Sequence, residues 1–316
     1  MTDPIFNRIA IIGAGLIGSS IALAAVSRGG AGAVSLYDSD PDVRRRAAAL
    51  ELGDVVGTPV DAVANADAVF LCVPVGALGA ATEAISGSMK RGAVLTDAGS
   101  VKASARRAMA EGCPDHVHLI PGHPIAGTEQ SGPEAGFSAL FEDRWHILTP
   151  EANQGPDYNQ AVDDLSEFWK RLGANVDIMD VDRHDRILAI TSHLPHLIAY
   201  NIVSTAYDME SVDEGEVVKY CAGGFRDFTR IAASDPIMWR DVFLNNKEAV
   251  LETLGRFTED LTALQKAIRH GDGDMLLREF DRARGIRKAI LDAGQDSAEV
   301  NFGRNTDTSD DGETVD

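Results

Sequence analysis

Cysteine is scarce in this sequence, and so are basic residues and long apolar runs. The 316-residue chain has three cysteines, Cys72, Cys113 and Cys221, which are widely spaced and form no CxxC pair. Three cysteines cannot all be bridged within one chain, so their spacing is typical of reduced, buried thiols rather than of a disulfide framework or a zinc site. A chain of this length buries enough apolar surface to fold without such cross-links.

The shortage of basic residues excludes one class of partner. With 29 lysines and arginines against 49 acidic residues, the formal net charge is -20, which disfavours nonspecific binding to nucleic acid or to an anionic membrane surface. No stretch reaches the roughly 18 consecutive apolar residues of a spanning helix, and no charged N-terminal segment precedes an apolar run. We therefore expect a cytoplasmic protein that binds neither nucleic acid nor membrane.

Short β-branched segments alternate with helical patterns in the first part of the chain. This alternation predicts a Rossmann-type, doubly wound parallel α/β sheet that forms a nucleotide-binding domain over residues 1–180. The predicted strands are 8–12, 33–37, 68–72, 93–96, 118–120, 145–148 and 176–179, and the clearest helices are 16–28 and 158–172.

The pattern changes after residue 180 to apolar residues at three- and four-residue spacing, with few strand signals. The helical stretches 182–209, 235–268 and 275–293 predict an all-helical domain over 181–295. Their apolar faces exceed what one small bundle hides, so we expect a homodimer formed through this half. Residues 296–316 are predicted to be a disordered acidic tail, because so few apolar side chains cannot offset the ordering entropy.

The segment Gly13-Ala-Gly15-Leu16-Ile17-Gly18 is a complete G-x-G-x-x-G between a predicted strand and a predicted helix, which is the context that favours a dinucleotide site. Asp38 ends the next strand, where a carboxylate accepts the ribose hydroxyls and repels a 2′-phosphate. NAD is therefore the expected cofactor, although Arg44, Arg45 and Arg46 follow closely and are either a solvated helix face or a softening of that choice. Val73 and Pro74 are expected to line the adenine or ribose side.

Three further segments carry side chains suited to catalysis: Asp97-Ala-Gly-Ser100-Val-Lys102, Gly122-His123-Pro-Ile-Ala-Gly127 and Ser192-His193-Leu-Pro195-His196. His193 and His196 lie three residues apart on a predicted helix and thus on nearly the same face. A zinc site there needs a third ligand, and the sequence has no HExxH and no paired cysteines, so no metal is expected. His118, His146, His184 and His270 lack such a context and are interpreted as structural or surface residues.

Together with the run from Gly223 to Arg230 and the segment Asp235-Pro-Ile-Met-Trp239, these motifs resemble the prephenate dehydrogenase family, which includes arogenate and dual-specificity enzymes. The resemblance extends from the glycine loop to about residue 290. It implies a Rossmann domain followed by a helical dimerisation domain, an active site between them, and NAD-dependent oxidative decarboxylation of prephenate or arogenate on the route to tyrosine.

The chemistry that the resemblance implies assigns roles to these residues. The substrate is a cyclohexadienyl alcohol, and His123 suits the base that takes the C4 hydroxyl proton as hydride leaves ring C4. By resemblance, Ser100 orients the same hydroxyl, His196 contacts a substrate carboxylate and His193 supports it. Arg230 is the leading candidate to hold a carboxylate, because guanidinium presents a planar fork.

Other assignments stay open at the level of sequence. Trp239 and the turn at Gly223 resemble residues that the family brings toward the pocket from the partner subunit, with core packing as the alternative for Trp239. Glu129 is a candidate to read the keto or amino group that separates prephenate from arogenate, or a structural ion-pair partner. The alternative functions are a two-domain dehydrogenase of the 3-hydroxyacid type and a noncatalytic nucleotide sensor. The absence of lysine between Lys170 and Lys219 disfavours the former.

Overall fold

The computed structural model describes residues 3–128, 130–152, 154–210 and 223–292. Glu129, Cys221 and the predicted tail 296–316 lie outside these residues. The chain divides into two compact units at Leu254 and Gly255, and the predicted domain boundary at residue 180 stays a prediction.

The β-branched segments of the first half form a six-stranded parallel sheet in the order β3-β2-β1-β4-β5-β6. Its strands are β1 Phe6–Ile12, β2 Ala31–Tyr37, β3 Asp54–Val55, β4 Ala68–Leu71, β5 Val94–Asp97 and β6 His118–Leu119. The helices that follow these strands are α1 Leu16–Ser27, α2 Pro41–Ala49, α3 Pro59–Val63, α4 Leu78–Ile85 and α5 Ala103–Gly112. The order reverses at β1 and β4, so the carboxyl ends of these two strands flank the crevice where open α/β sheets bind ligands.

Apolar side chains cover both faces of this sheet. On one face Phe70 lies against Phe168, with ring centroids 5.0 Å apart, and against Trp169, with centroids 6.0 Å apart. The other face buries side chains of α4 and α5 together with Trp239. Because both faces are covered, the strands are almost continuously apolar, as in other parallel sheets.

A separate three-stranded sheet follows, which the sequence did not predict. It contains β7 Gly122–Pro124, β8 Trp145–Leu148 and β9 Asn175–Ile178, with α6 Pro156–Arg171 between the last two. β7 pairs with β8 in antiparallel fashion, and β8 pairs with β9 in parallel fashion. The chain leaves the large sheet at Pro121, which has no N–H to extend the ladder of β6. This departure carries His123 out of the large sheet.

The predicted helical stretches are interrupted at two places. The first predicted stretch, 182–209, comprises α7 Val181–Leu188, a wide π-helical turn at Ala189–His193 and α8 Leu194–Glu210. Pro195 lacks the N–H that would continue the α-helical ladder, which accounts for the wide turn just before it. The stretch 235–268 is divided at Asn246. The later helices are α9 Gly223–Thr229, α10 Pro236–Asn245, α11 Lys247–His270 and α12 Gly273–Asp292.

The segment Val181–Met209 is long and apolar enough, by length and composition alone, to cross a membrane, with a mean hydropathy of 1.2. Polar side chains interrupt the segment, which is why no continuous apolar run marks it in the sequence. One such helix is weak support for a membrane span, because core helices of soluble proteins pass the same test. His193, near its middle, is fully buried and hydrogen-bonded to Asn246.

Candidate active site

The glycine loop joins β1 to α1 at the centre of the large sheet. Gly13 has a φ of +106°, and a Cβ there would collide with the backbone carbonyl of Cys72, so only glycine fits. A Cβ on Gly18 would collide with the carbonyl of Gly13. A Cβ on Gly15 would meet no atom within 4 Å, which leaves open space at the first turn of α1. That combination fits the pyrophosphate of a dinucleotide at the helix N-terminus.

The predicted cofactor residues around this loop lie at the carboxyl edge of the sheet. Asp38 follows β2, and its carboxylate accepts the N–H of Ala14 at 2.9 Å and that of Asp40 at 2.9 Å. Each carboxylate oxygen keeps a lone pair for a further donor. Leu16 is buried and Ile17 half-buried at the start of α1, while Val73 is half-buried and Pro74 exposed after β4.

The arginines behind Asp38 already have partners. Arg44 donates to the backbone carbonyl of Asp38 at 2.6 Å, and its guanidinium carbon lies 5.3 Å from the centre of the Tyr37 ring. Arg45 and Arg46 both pair with Asp42, and Arg46 also pairs with Glu134 at 2.7 Å. Arg45 and Arg46 are thus engaged with carboxylates, and only Arg44 lies against the Asp38 backbone.

His123 lies on β7 with 7% of its surface exposed, and its ring belongs to a chain of buried hydrogen bonds. His123 Nδ1 lies 2.9 Å from His184 Nε2, and His184 Nδ1 lies 2.8 Å from Asp185 Oδ1. Asp185 also accepts the backbone N–H groups of Lys102, at 2.8 Å, and Ala103, at 2.9 Å, at the start of α5. The carboxylate is therefore held by three donor groups from two elements, α7 and the start of α5.

These contacts fix the tautomers. The Asp185 carboxylate only accepts, so a neutral His184 carries its proton on Nδ1 and accepts through Nε2. His123 must then donate from Nδ1, which leaves an unprotonated lone pair on its Nε2. Burial, followed by the charges of His184 and Lys102, holds the pKa of His123 well below its ordinary value. The His123 imidazole is therefore neutral at physiological pH.

The buried polar side chains of His123, His184 and Asp185 form one part of a cluster. The segment around His193 forms its second part. Asn246, at the break between α10 and α11, donates from Nδ2 to the backbone carbonyl of Asp185 at 2.9 Å and to His193 Nδ1 at 3.1 Å. The proton of neutral His193 is consequently on Nε2, a fully buried atom that has no hydrogen-bond partner among the described residues. Burial is the main cause that lowers the pKa of His193 to about 4, and the backbone of Ser100 opposes this shift. Ser100, which follows β5, is thus next to His193.

The remaining predicted substrate residues gather around Trp239. The His196 ring stacks on the Trp239 ring, with centroids 3.6 Å apart and 22° between the planes, and His196 Nδ1 faces the carbonyl of Ser192 at 2.9 Å. Burial lowers the pKa of His196, and the nearby positive charge of Arg230 lowers it further. Trp239 belongs to the core beneath α10, and its indole N–H is buried without a partner in the described part of the chain. Trp239 therefore packs in the core and also lies beside the cluster.

One predicted residue, Gly223, has no described side-chain or hydrogen-bond contact with the cluster. Gly223 begins α9, and a Cβ there would meet nothing within 4 Å. Glu129 lies outside the described residues. Among the described residues there is also no group of three or more His, Cys, Asp and Glu side chains placed to hold a metal ion.

Sequence reasoning missed four buried polar residues of this cluster. It assigned His184 to the structural or surface histidines, and it gave no role to Asp185, Asn246 or Lys102. The adjacent His184 and Asp185 on an amphipathic helix were the available signal. Asn246 had none, because it contacts His193 across 53 residues of sequence.

Comparison with known proteins gives a consistent picture. Residues 21–178 match the family model described as the prephenate dehydrogenase nucleotide-binding domain, and residues 180–282 match the prephenate dehydrogenase dimerization domain. A cyclohexadienyl dehydrogenase of Zymomonas mobilis is 43% identical over 287 residues, which cover 90% of this chain and 97% of that protein. A prephenate dehydrogenase of Bacillus subtilis is 32% identical over 289 residues, 90% of this chain and 76% of that protein.

Solved structures agree with these relatives. The crystal structure of Aquifex aeolicus prephenate dehydrogenase in complex with hydroxyphenyl propionate and NAD+ is 32% identical. It superposes with a TM-score of 0.82 over 92% of this chain and 99% of that one. The predictions of the family, the fold class, the class of enzyme and the NAD cofactor are confirmed. The chain belongs to the prephenate dehydrogenase family of NAD-dependent oxidoreductases.

Proposed function

We propose that this protein catalyses the NAD-dependent oxidative decarboxylation of prephenate, arogenate or both, with His123 as the base. The observation that carries the proposal is the hydrogen-bond chain from Asp185 through His184 to His123, which leaves Nε2 of a buried, neutral imidazole free to accept a proton. The relatives named prephenate and cyclohexadienyl dehydrogenases support this substrate class. One relative binds hydroxyphenyl propionate, a phenol that carries a carboxylate, as the product does.

The reaction balances without an outside acid or base. His123 Nε2 takes the proton of the C4 hydroxyl while the C4–O bond gains carbonyl character. NAD, when bound against the glycine loop, supplies the acceptor for the hydride that leaves C4. The C1–carboxylate bond breaks, its electron pair enters the ring and CO2 is released. His123 then returns its proton to the phenolate oxygen, and aromatisation of the ring provides the driving force.

The cluster also offers donors for the substrate's carboxylates. We assign Arg230 to one of them, since its charge already reaches His196 and a guanidinium pairs with carboxylate through two parallel bonds. His196 lies beside it, and the buried Nε2–H of His193 supports the same region. Ser100 is assigned to orient the C4 hydroxyl. The roles of Glu129, Gly223 and Trp239 toward substrate stay predictions.

We infer that the enzyme is a cytoplasmic homodimer. The dimerization-domain model covers residues 180–282. On the helices of the second unit several large apolar side chains are more than half exposed, and a second copy would cover them. They are Leu261, Ile268, Leu277, Phe280 and Ile286. Sedimentation equilibrium tests this inference, and a fully active monomer would overturn it.

The central experiment measures NADH formation at 340 nm with each substrate and each nicotinamide cofactor. His123→Asn should retain substrate binding but lower kcat by roughly 10²–10⁴-fold, the usual contribution of a positioned base. Arg230→Ala should instead act mainly on KM, by an amount equivalent to about 2–5 kcal/mol if the pair is well desolvated. A His123→Asn enzyme with kcat within a few-fold of wild type would reassign the base.

The alternative of a 3-hydroxyacid dehydrogenase rests on the fold alone. The fold alone is shared with a 3-hydroxyisobutyrate dehydrogenase of Mycobacterium tuberculosis, at a TM-score of 0.55 and 14% identity. Turnover of a 3-hydroxyacid in the same assay, with none of prephenate or arogenate, would favour it. A noncatalytic sensor would bind NAD and turn over neither class of substrate.

A further inference from the structure

A fully buried ion pair lies next to the backbone that precedes His123. The proposed function gives this pair no role in binding the cofactor or the substrate. Lys102 Nζ pairs with Asp97 Oδ2, and neither side chain has any exposed surface. Lys102 Nζ also donates to the carbonyl of Gly122 at 2.6 Å, while Asp97 Oδ1 accepts the N–H of Gly122 at 3.2 Å. The pair therefore hydrogen-bonds both the N–H and the carbonyl of Gly122, the residue that precedes His123.

Lys102 reaches His123 by a second route as well. Its backbone N–H donates to Asp185 Oδ1 at 2.8 Å, and Asp185 holds the His184 ring that accepts from His123. A closed ring of contacts results, which runs from Lys102 through Asp185 and His184 to His123 and returns through the Gly122 carbonyl. One residue thus fixes the base at its imidazole and at its backbone.

Fold stability by itself does not account for such a pair. Two buried charges lose their hydration, and an apolar pair of similar volume is often as stable or more stable. The space around Gly122 is also closed, since a Cβ there would lie 2.7 Å from His146 Nε2 and 3.2 Å from Thr96 Oγ1. Packing already confines this strand, so we expect the ion pair to serve a role other than fold stability.

We propose that the buried Lys102–Asp97 pair is a positioning device that aligns His123 for proton abstraction. This inference rests on the proposed function of His123. The cation disfavours a second positive charge on the neighbouring imidazole, whereas Asp97 keeps the pair neutral as a whole.

Other groups act on His123 from every neighbouring element, and Lys102 is the single cation among those that shift its pKa at neutral pH. The titratable and charged groups around it are Asp97 on β5, Lys102 before α5, His146 on β8, His184 and Asp185 on α7, and His193 in the π-helical turn.

The test compares Lys102→Met with wild type in the full-length enzyme. Lys90→Met is the matched control, because Lys90 forms an ion pair with Asp67 away from the cluster and keeps half of its side chain exposed. Lys102→Met should stay folded and bind NAD with a Kd within about threefold of wild type, while kcat falls roughly tenfold or more, within the range of positioned acid–base catalysis. The acid limb of the kcat/KM profile should move to higher pH by about one unit. Lys90→Met should change neither kcat nor the position of the acid limb.

A double variant, Asp97→Asn/Lys102→Met, removes the uncompensated Asp97 charge and guards against simple misfolding. In it kcat should remain low, because the anchor on Gly122 is still lost. Wild-type kcat and an unmoved acid limb in a folded Lys102→Met would overturn the proposal. Failure of both variants to fold would also overturn it, since the pair would then be a requirement of the fold. His123→Asn runs in parallel: if it keeps the acid limb, the assignment of the base fails, whatever Lys102 does.

Discussion

His184 offers the sharpest test of the buried chain, because it contacts His123 and Asp185 but lies behind the base. His184→Phe keeps an aromatic ring where the His123 and His184 centroids are 5.1 Å apart at 63°. It removes the acceptor for His123 Nδ1–H and the donor to Asp185 Oδ1. Asp185 keeps its two backbone donors from the start of α5. The carboxylate therefore keeps two of its three donors, whereas His123 loses the hydrogen bond that selects its tautomer.

The expected loss follows from that one bond. To keep Nε2 unprotonated, His123 would hold a buried Nδ1–H without a partner, which costs about 1–3 kcal/mol. At about 1.36 kcal/mol per tenfold in rate, kcat should fall roughly 5- to 160-fold. KM should change little, since the hydrogen bonds of His184 go to His123 and Asp185.

Initial rates at saturating substrate and NAD measure this effect, with the folded fraction fixed by circular dichroism and thermal melting. The matched control is His270→Phe, at the exposed end of α11, which should leave kcat within error. If a folded His184→Phe enzyme keeps kcat within twofold of wild type, the tautomer argument is refuted and His184 is a packing residue.

Three further outcomes follow from the same structure. Stability should fall as the pH drops below about 6.5, because the unfolded chain then takes up protons that buried neutral histidines refuse, at about 1.4 kcal/mol per pH unit for each. The histidines concerned are His123, His146, His184 and His193. Thermal melts at pH 7.5, 6.5 and 5.5 test this, and a flat or rising Tm would contradict it. Gly15→Ala should leave Tm unchanged, because its Cβ meets no protein atom within 4 Å. It should raise the Kd for NAD roughly tenfold or more, because that Cβ would enter the pyrophosphate space. Gly13→Ala should lower Tm as well, because its Cβ would collide with the Cys72 carbonyl. Asp38→Ser should raise the ratio of kcat/KM for NADP over NAD by about tenfold or more, the equivalent of about 1.4 kcal/mol of lost repulsion; an unchanged ratio would remove Asp38 from cofactor selection.

Local chemistry made much of the fold predictable. The strand ending at Ile12, the glycine loop and the helix from Leu16 were predicted within two residues of their observed bounds, because glycine conformation and β-branched periodicity are properties of short segments. The second sheet was not predicted. Whether β7 joins the large sheet or pairs antiparallel with β8 depends on a partner more than twenty residues away, and no local pattern encodes that choice.

The same division runs through the candidate site. The sequence alone determined the family, the cofactor class and the side chains able to act as base or carboxylate anchor, since each depends on residue type within a short motif. The tertiary structure alone decided which nitrogen of His123 is free, because that depends on Asp185 and His184 some 60 residues away. It also decided that Lys102 and Asn246 support the histidines. Hydrogen bonds join whatever the fold brings within 3 Å, and their partners are therefore set by packing rather than by sequence spacing.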